Sequence, residues 1–156
     1  MINKDVILDF KFPNCLDHLL PEFYFDDSVS TIHSKNAGCH IESGSVKFHV
    51  YSPLINESIF IMDFYVRNKG NKSNLFRIPP VKVPNIRLQY IYTNPKFRNQ
   101  GISKYYMEKL CNFTSSINID TITINIAPSG KNGMNKEQLY SFYHSFNSDK
   151  IQIQTF

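Results

Sequence analysis

Residues 86–116 read IRLQYIYTNPKFRNQGISKYYMEKLCNFTSS. Ile86, Leu88, Tyr90 and Tyr92 alternate with Arg87, Gln89, Ile91 and Thr93, the two-residue period of a strand. Asn94-Pro95 stops it, because proline has no N–H for the ladder. Beyond the stop, Ile102, Tyr106, Leu110 and Phe113 recur at helical spacing. Arg98, Asn99, Gln100, Gly101, Ile102 and Ser103 lie between strand and helix. They put a glycine and small residues where a helix begins, beside unbonded backbone N–H groups and the positive end of its dipole. Such a loop can hold a phosphate or pyrophosphate.

Two phosphate-binding patterns fail on these residues. A P-loop ends in Gly-Lys-Ser/Thr, which is missing, and a dinucleotide fingerprint needs three spaced glycines where only Gly101 stands. The stretch FRNQGIS, with Pro95 and Phe97 ahead of Arg98, resembles instead the acyl-CoA loop of the GNAT superfamily of N-acyltransferases. That pattern is Arg/Gln-x-x-Gly-x-Gly/Ala between the fourth strand and the third helix. Ser103 departs from it, standing where the family has Gly or Ala.

Composition sets bounds on the rest. At 156 residues, 42% hydrophobic and 19% charged, the chain has the size and apolar content of one domain over residues 1–156, and wholesale disorder is excluded. The net charge of +4 and pI near 8.9 permit an anionic partner such as CoA or RNA without demanding one. Cys15, Cys39 and Cys111 are odd in number and irregularly spaced, which argues for a reducing compartment and against a disulfide framework. His33, Cys39 and His40 lie close in sequence, but no second ligand pair is spaced to complete a metal site, so no metal is expected. The start, MINKDVILDFKF, lacks the apolar run of a signal peptide, and no window is long and apolar enough to span a membrane. The expectation is a soluble cytoplasmic protein with no membrane partner.

Along the chain, residues 5–12 alternate as a first strand ending at Pro13. Residues 14–20 suggest a short helix with Leu16, Leu19 and Leu20 on one side, and another short helix is suggested near 26–35. Residues 45–51 and 58–67 read as an antiparallel hairpin about Asn56-Glu57. Residues 68–85 form a long basic, proline-rich connection, either a solvated excursion or a flap facing substrate or RNA. Residues 120–127 read as a strand. Residues 135–146 read as a helix capped by Asn135 with Gln138, Asn147 taking the left-handed position after it. Residues 151–156 alternate as a last strand, an edge open to pairing in a homodimer.

This order of strands and helices predicts an α+β (mixed α/β) architecture: a mixed sheet with helices on its faces. The GNAT resemblance covers about residues 44–156. It implies a central, mostly antiparallel mixed sheet splayed between the fourth strand (86–93) and the fifth (120–127), with helices on both faces. It also implies acetyl-CoA as acyl donor, held by Arg98, Asn99, Gln100, Gly101, Ile102 and Ser103 and by the backbone of Ile91, Tyr92 and Thr93, one N–H of which would stabilise the oxyanion.

In the family the last helix carries an aromatic-Tyr pair, followed by a small or left-handed residue. Phe142-Tyr143 with Asn147 resembles it, and the resemblance gives Tyr143 the proton that the departing thiolate needs. Tyr143 also lies on the apolar stripe of its helix and reads equally well as a core tyrosine. Tyr140 is a substitute with poorer spacing. A base would help an acceptor amine lose its proton, and the fourth strand offers no carboxylate. Asp63 and then His49 are the candidates, with Gln89 able to orient a water; structural roles compete for each. The reading is an N-acetyltransferase acting on a primary amine by direct attack, the acceptor being a small molecule, a protein amine or aminoacyl-tRNA. The alternatives are an inactive GNAT-fold binding module and a plain nucleic-acid binder, for which a clustered basic-aromatic pattern is lacking.

Overall fold

The computed structural model describes residues 4–25, 46–68, 82–128 and 133–156. The suggested helix near 26–35, most of the 68–85 connection, and His33, Cys39 and His40 fall outside those residues. The chain divides into two compact units, Met1–Tyr65 with Gln89–Lys109, and Val66–Leu88 with Leu110–Phe156.

In the first unit a short helix, α1 (Lys4–Leu8), replaces the strand expected over residues 5–12. Ile7 within it and Phe10 just past its end are buried. The carbonyls of Phe10 and Lys11 accept the hydroxyls of Tyr105 and Tyr106, at 2.6 and 3.0 Å. A 3₁₀ turn follows at Asn14–Leu19 with Leu16 and Leu19 buried. Leu20, expected beside them, is left-handed and exposed.

Strand β1 (Glu22–Phe25) pairs antiparallel with β2 (Val46–Ser52), and β2 with β3 (Glu57–Arg67). The hairpin turn places Asn56 at φ 53, a conformation asparagine tolerates, and the Tyr51 hydroxyl donates to its side chain. Every residue of β2 is buried, Lys47 and His49 included, so both faces of this strand are covered. The core on one face is aromatic: Phe48 meets Phe10, Phe23, Phe60 and Tyr106, and Phe60 stacks on Tyr106 at 4.6 Å.

Strand β4 (Asn85–Thr93) leads through a short 3₁₀ turn, Pro95–Phe97, into α2 (Ile102–Ser116). Ile102, Tyr106 and Leu110 are buried, as the helical spacing requires. In the second unit β4 pairs in parallel with β5 (Thr121–Ile124), and β5 in parallel with β6 (Gln152–Thr155). Parallel neighbours need a crossover between them, and α2 and α3 (Lys136–His144) supply the two. The strand order is β1-β2-β3-β4-β5-β6, a mixed six-stranded sheet, and the architecture is mixed α+β.

Three boundaries differ from expectation. Strand β5 stops at Ile124; among the described residues beyond it, the Ile126 N–H bonds Phe156 O, just past the end of β6, at 3.2 Å. Helix α3 does carry the capping box of Asn135 and Gln138, but it ends at His144. Asn147 is not left-handed; its side chain is held elsewhere, which removes the need for that cap.

Candidate functional site

The loop after β4 is fixed at its base by Asn94. Its main-chain N–H donates to Ile59 O at 2.9 Å, and its amide nitrogen reaches Ser58 O at 3.1 Å and Glu57 Oε2 at 3.3 Å. Its side-chain oxygen accepts from Lys96 N–H at 3.1 Å, capping the 3₁₀ turn. Lys96 Nζ adds an ion pair with Glu57 at 2.6 Å. That bond and the neighbouring charge lower the Glu57 carboxyl below its ordinary value. A polar loop is therefore anchored to β3 by one asparagine and one ion pair.

The loop then turns twice through left-handed backbone, at Asn99 (φ 63) and Gly101 (φ 77). Gly101 is exposed, and a side chain built there would meet nothing within 4 Å, so the space over the loop is open. Gly101 O accepts the Tyr105 N–H at 2.9 Å, which starts α2. The N–H groups just before it are those a helix leaves without an internal acceptor. Ile102 is buried and pins the helix start to the core. Arg98 is half-buried in extended backbone, Gln100 is exposed, and Gln100 O lies 3.9 Å from the Cys15 thiol. Left-handed turns running into a helix N-terminus are a backbone arrangement that can take an anion such as a pyrophosphate.

Ser103 has its hydroxyl on the Thr93 hydroxyl at 2.6 Å. That bond joins the last residue of β4 to the first turn of α2. Ile91, Tyr92 and Thr93 are half-buried, and the Tyr92 ring lies parallel to Tyr90 at 6.4 Å. The pairing of β4 with β5 covers Ile86–Leu88 against Ile122–Ile124; β4 continues as strand to Thr93 beyond the last paired residue. Gln89 is the first residue past that point, and its Oε1 is buried with no hydrogen-bond partner.

The other candidates sit apart in kind. Asp63 is fully buried on β3, opposite Lys47 of β2 in register. Opposite charges at such positions support each other across a ladder. His49 is also fully buried, its Nδ1 3.1 Å from the Ser58 hydroxyl. Tyr143, in the second unit, is buried on α3, and burial pushes its phenol up to about 12. Tyr140 is half exposed and stacks on His144 at 4.0 Å. Among the described residues no group of three His, Cys, Asp or Glu is placed to hold a metal ion, and no helix is long and apolar enough to cross a membrane.

Sequence reasoning missed the Thr93–Ser103 bond and the Asn94 anchor. Their partners are separated by 10 residues in the first case and 36 or 37 in the second, and nothing local in the sequence signals them.

No family model matches the chain, and no curated protein does. Solved structures do. An aminoglycoside N-acetyltransferase crystallised with CoA is 12% identical, over 86% of this chain and 97% of that one, at a TM-score of 0.49. An aminoglycoside 6'-N-acetyltransferase from Acinetobacter baumannii is 11% identical, over 99% and 80%, at 0.44. An acetyltransferase of Trypanosoma brucei is 13% identical, over 71% and 68%, at 0.46. These scores stay below 0.5, and the chemistry of the site rests on its own residues.

Proposed function

We propose that the protein is an acyl-CoA-dependent N-acyltransferase of the GNAT type, taking acetyl-CoA as donor and a primary amine as acceptor. The observation that carries this is the loop of residues 98–103: left-handed at Asn99 and Gly101, open above Gly101, and running into the N-terminus of α2. Its sequence is the one that resembles the family's acyl-CoA loop. The backbone N–H groups from Gly101 onward would hold the pyrophosphate, with Arg98 adding charge. The main chain of Ile91, Tyr92 and Thr93 would hold the pantetheine arm and supply an oxyanion donor.

The amine nitrogen would attack the thioester carbonyl and form the C–N bond; the C–S bond breaks, the thiolate takes a proton, and the proton that the new amide nitrogen sheds passes to water or back to the group that protonated the thiolate. The resemblance gives that donation to Tyr143. A buried phenol raised to about 12 stays protonated throughout the neutral range, and the same rise makes it a weaker acid toward a thiolate, so donation requires that bound substrate lower it again. The burial of Asp63 opposite Lys47 weighs against a base role for it. The acceptor is accordingly an amine that is already substantially neutral, or one deprotonated through water, with Gln89 as the polar side chain of β4 nearest to that task. Small amines, protein amines and aminoacyl-tRNA all remain within this class.

Calorimetric titration with acetyl-CoA tests the proposal, with Gly101→Glu as control. Micromolar binding by wild type, abolished in a Gly101→Glu variant that retains its circular-dichroism spectrum, is the expected result. Absence of binding by folded wild type overturns it and leaves a protein that acts by occupying a partner.

A further inference from the structure

Ser103 is the loop residue that departs from the acyl-CoA pattern, and its side chain is bonded back to the strand. Its hydroxyl lies 2.6 Å from that of Thr93, a short contact between neutral hydroxyls, in a half-buried position. Glycine or alanine at 103 could not make it. Asn94 ties the connection to β3, and Ile102 packs it into the core, but neither joins β4 to the helix.

We propose that Thr93 and Ser103 form a positioning clamp that sets the distance between two halves of the donor site: the helix N-terminus that takes the pyrophosphate and the β4 backbone that takes the pantetheine arm. This rests on the acyl-CoA reading above and deepens it. The physical reason is preorganisation. The two ligand halves are joined covalently, so binding one brings the other to its subsite at a high effective concentration only if the subsites are held at the matching span. A loop with two left-handed residues and open space above Gly101 does not fix that span by packing. A hydroxyl pair from the strand's last residue to the helix's first turn does. Neither side chain touches the reacting atoms in this proposal; both act through the backbone they hold.

The test compares two probes on the same variant. 3'-Phosphoadenosine 5'-diphosphate carries the pyrophosphate but no pantetheine arm, and CoA carries both. Dissociation constants for each are measured by calorimetry on wild type, Thr93→Val, Ser103→Ala, the double variant and Thr93→Ser. The ratio of the two constants reports how well the halves are matched and cancels general damage to the fold. Loss of a hydroxyl pair should shrink CoA's advantage over 3'-phosphoadenosine 5'-diphosphate by about three- to tenfold in Thr93→Val and in Ser103→Ala. The double variant should be no worse than either single one, because both remove the same bond. Thr93→Ser keeps a hydroxyl and should keep the wild-type ratio.

An unchanged ratio in folded Thr93→Val and Ser103→Ala overturns the clamp while leaving the donor assignment intact. So does a double variant whose losses add, or equal weakening of both probes. Wild type that binds neither probe overturns the donor assignment and the clamp with it.

Discussion

Asn147 Oδ1 accepts the main-chain N–H of Ile153 at 2.7 Å, so the residue after α3 is tied to β6. The oxygen being committed to that donor, the amide nitrogen is what faces His144 Nδ1 at 3.0 Å. Nδ1 must then accept, which puts the His144 proton on Nε2, where it donates to the Thr155 hydroxyl at 3.1 Å. Two side chains at the end of one helix thus hold the second residue and the last residue of the strand that pairs with β5.

From this comes a prediction about residue 147. Asn147→Ala leaves the half-buried Ile153 N–H without its acceptor and should cost about 1 to 2 kcal/mol. For a chain of this length that is a fall of about 2 to 8 °C in melting temperature. Asn147→Gly should do no better than alanine, because the backbone there is not left-handed and a glycine gains nothing from it. Thermal unfolding of the two variants decides; a glycine variant as stable as wild type would contradict the side-chain tie.

Tyr143 gives the protein an alkaline limit. Its phenol is raised from 10.0 to about 12 by burial, so the folded state holds the proton more tightly than the unfolded one. Between those values the folded state binds more protons, and stability falls as pH rises. The contribution is complete below pH 10.0 and lost through about 12, roughly 2 to 3 kcal/mol over the whole range. Denaturant midpoints measured at pH 9 to 12 should fall less steeply in Tyr143→Phe than in wild type. The same value predicts that Tyr143 adds no basic limb to a pH–rate profile below pH 10.

Gly101 is required by its backbone and not by crowding. At φ 77 with nothing within 4 Å, the cost of a side chain is conformational alone. Gly101→Ala should lower stability by about 1 to 2 kcal/mol. Gly101→Asn should lower it less, because asparagine tolerates the left-handed region, as Asn99 and Asn118 do elsewhere in this chain. Equal losses in chemical denaturation would show that the loop relaxes out of this conformation.

How much of this was legible follows from where each signal lives. The β4–loop–α2 unit could be read because alternation, Asn94-Pro95 and helical spacing are local and agree with one another. The capping box at Asn135 was legible for the same reason. Residues 5–12 misled because so short an apolar segment satisfies either period; Tyr105 and Tyr106, far along the chain, take its last carbonyls. Asn147 misled because a residue type that suits a left-handed cap also suits a side-chain bridge, and only Ile153 decides between them. In the candidate site the loop's residue types were readable, while the bond from Ser103 to Thr93 and the burial of Asp63 opposite Lys47 are products of the fold.

The buried end of Gln89 leads to the last prediction. Its Oε1 has no hydrogen-bond partner, and a buried acceptor left unsatisfied costs about 1 to 3 kcal/mol. Replacing the carboxamide by an apolar group of similar length removes that cost without opening a large cavity. Gln89→Met should therefore be as stable as wild type or more so, by up to about that amount, although most substitutions at part-buried strand positions destabilise. A gain in stability would be the outcome expected if Oε1 is a free acceptor in the native protein, open to a donor from a ligand or water. Urea unfolding of Gln89→Met is the measurement. A clear loss of stability would mean that Oε1 is already bonded in solution, and Gln89 would then be a structural residue of β4.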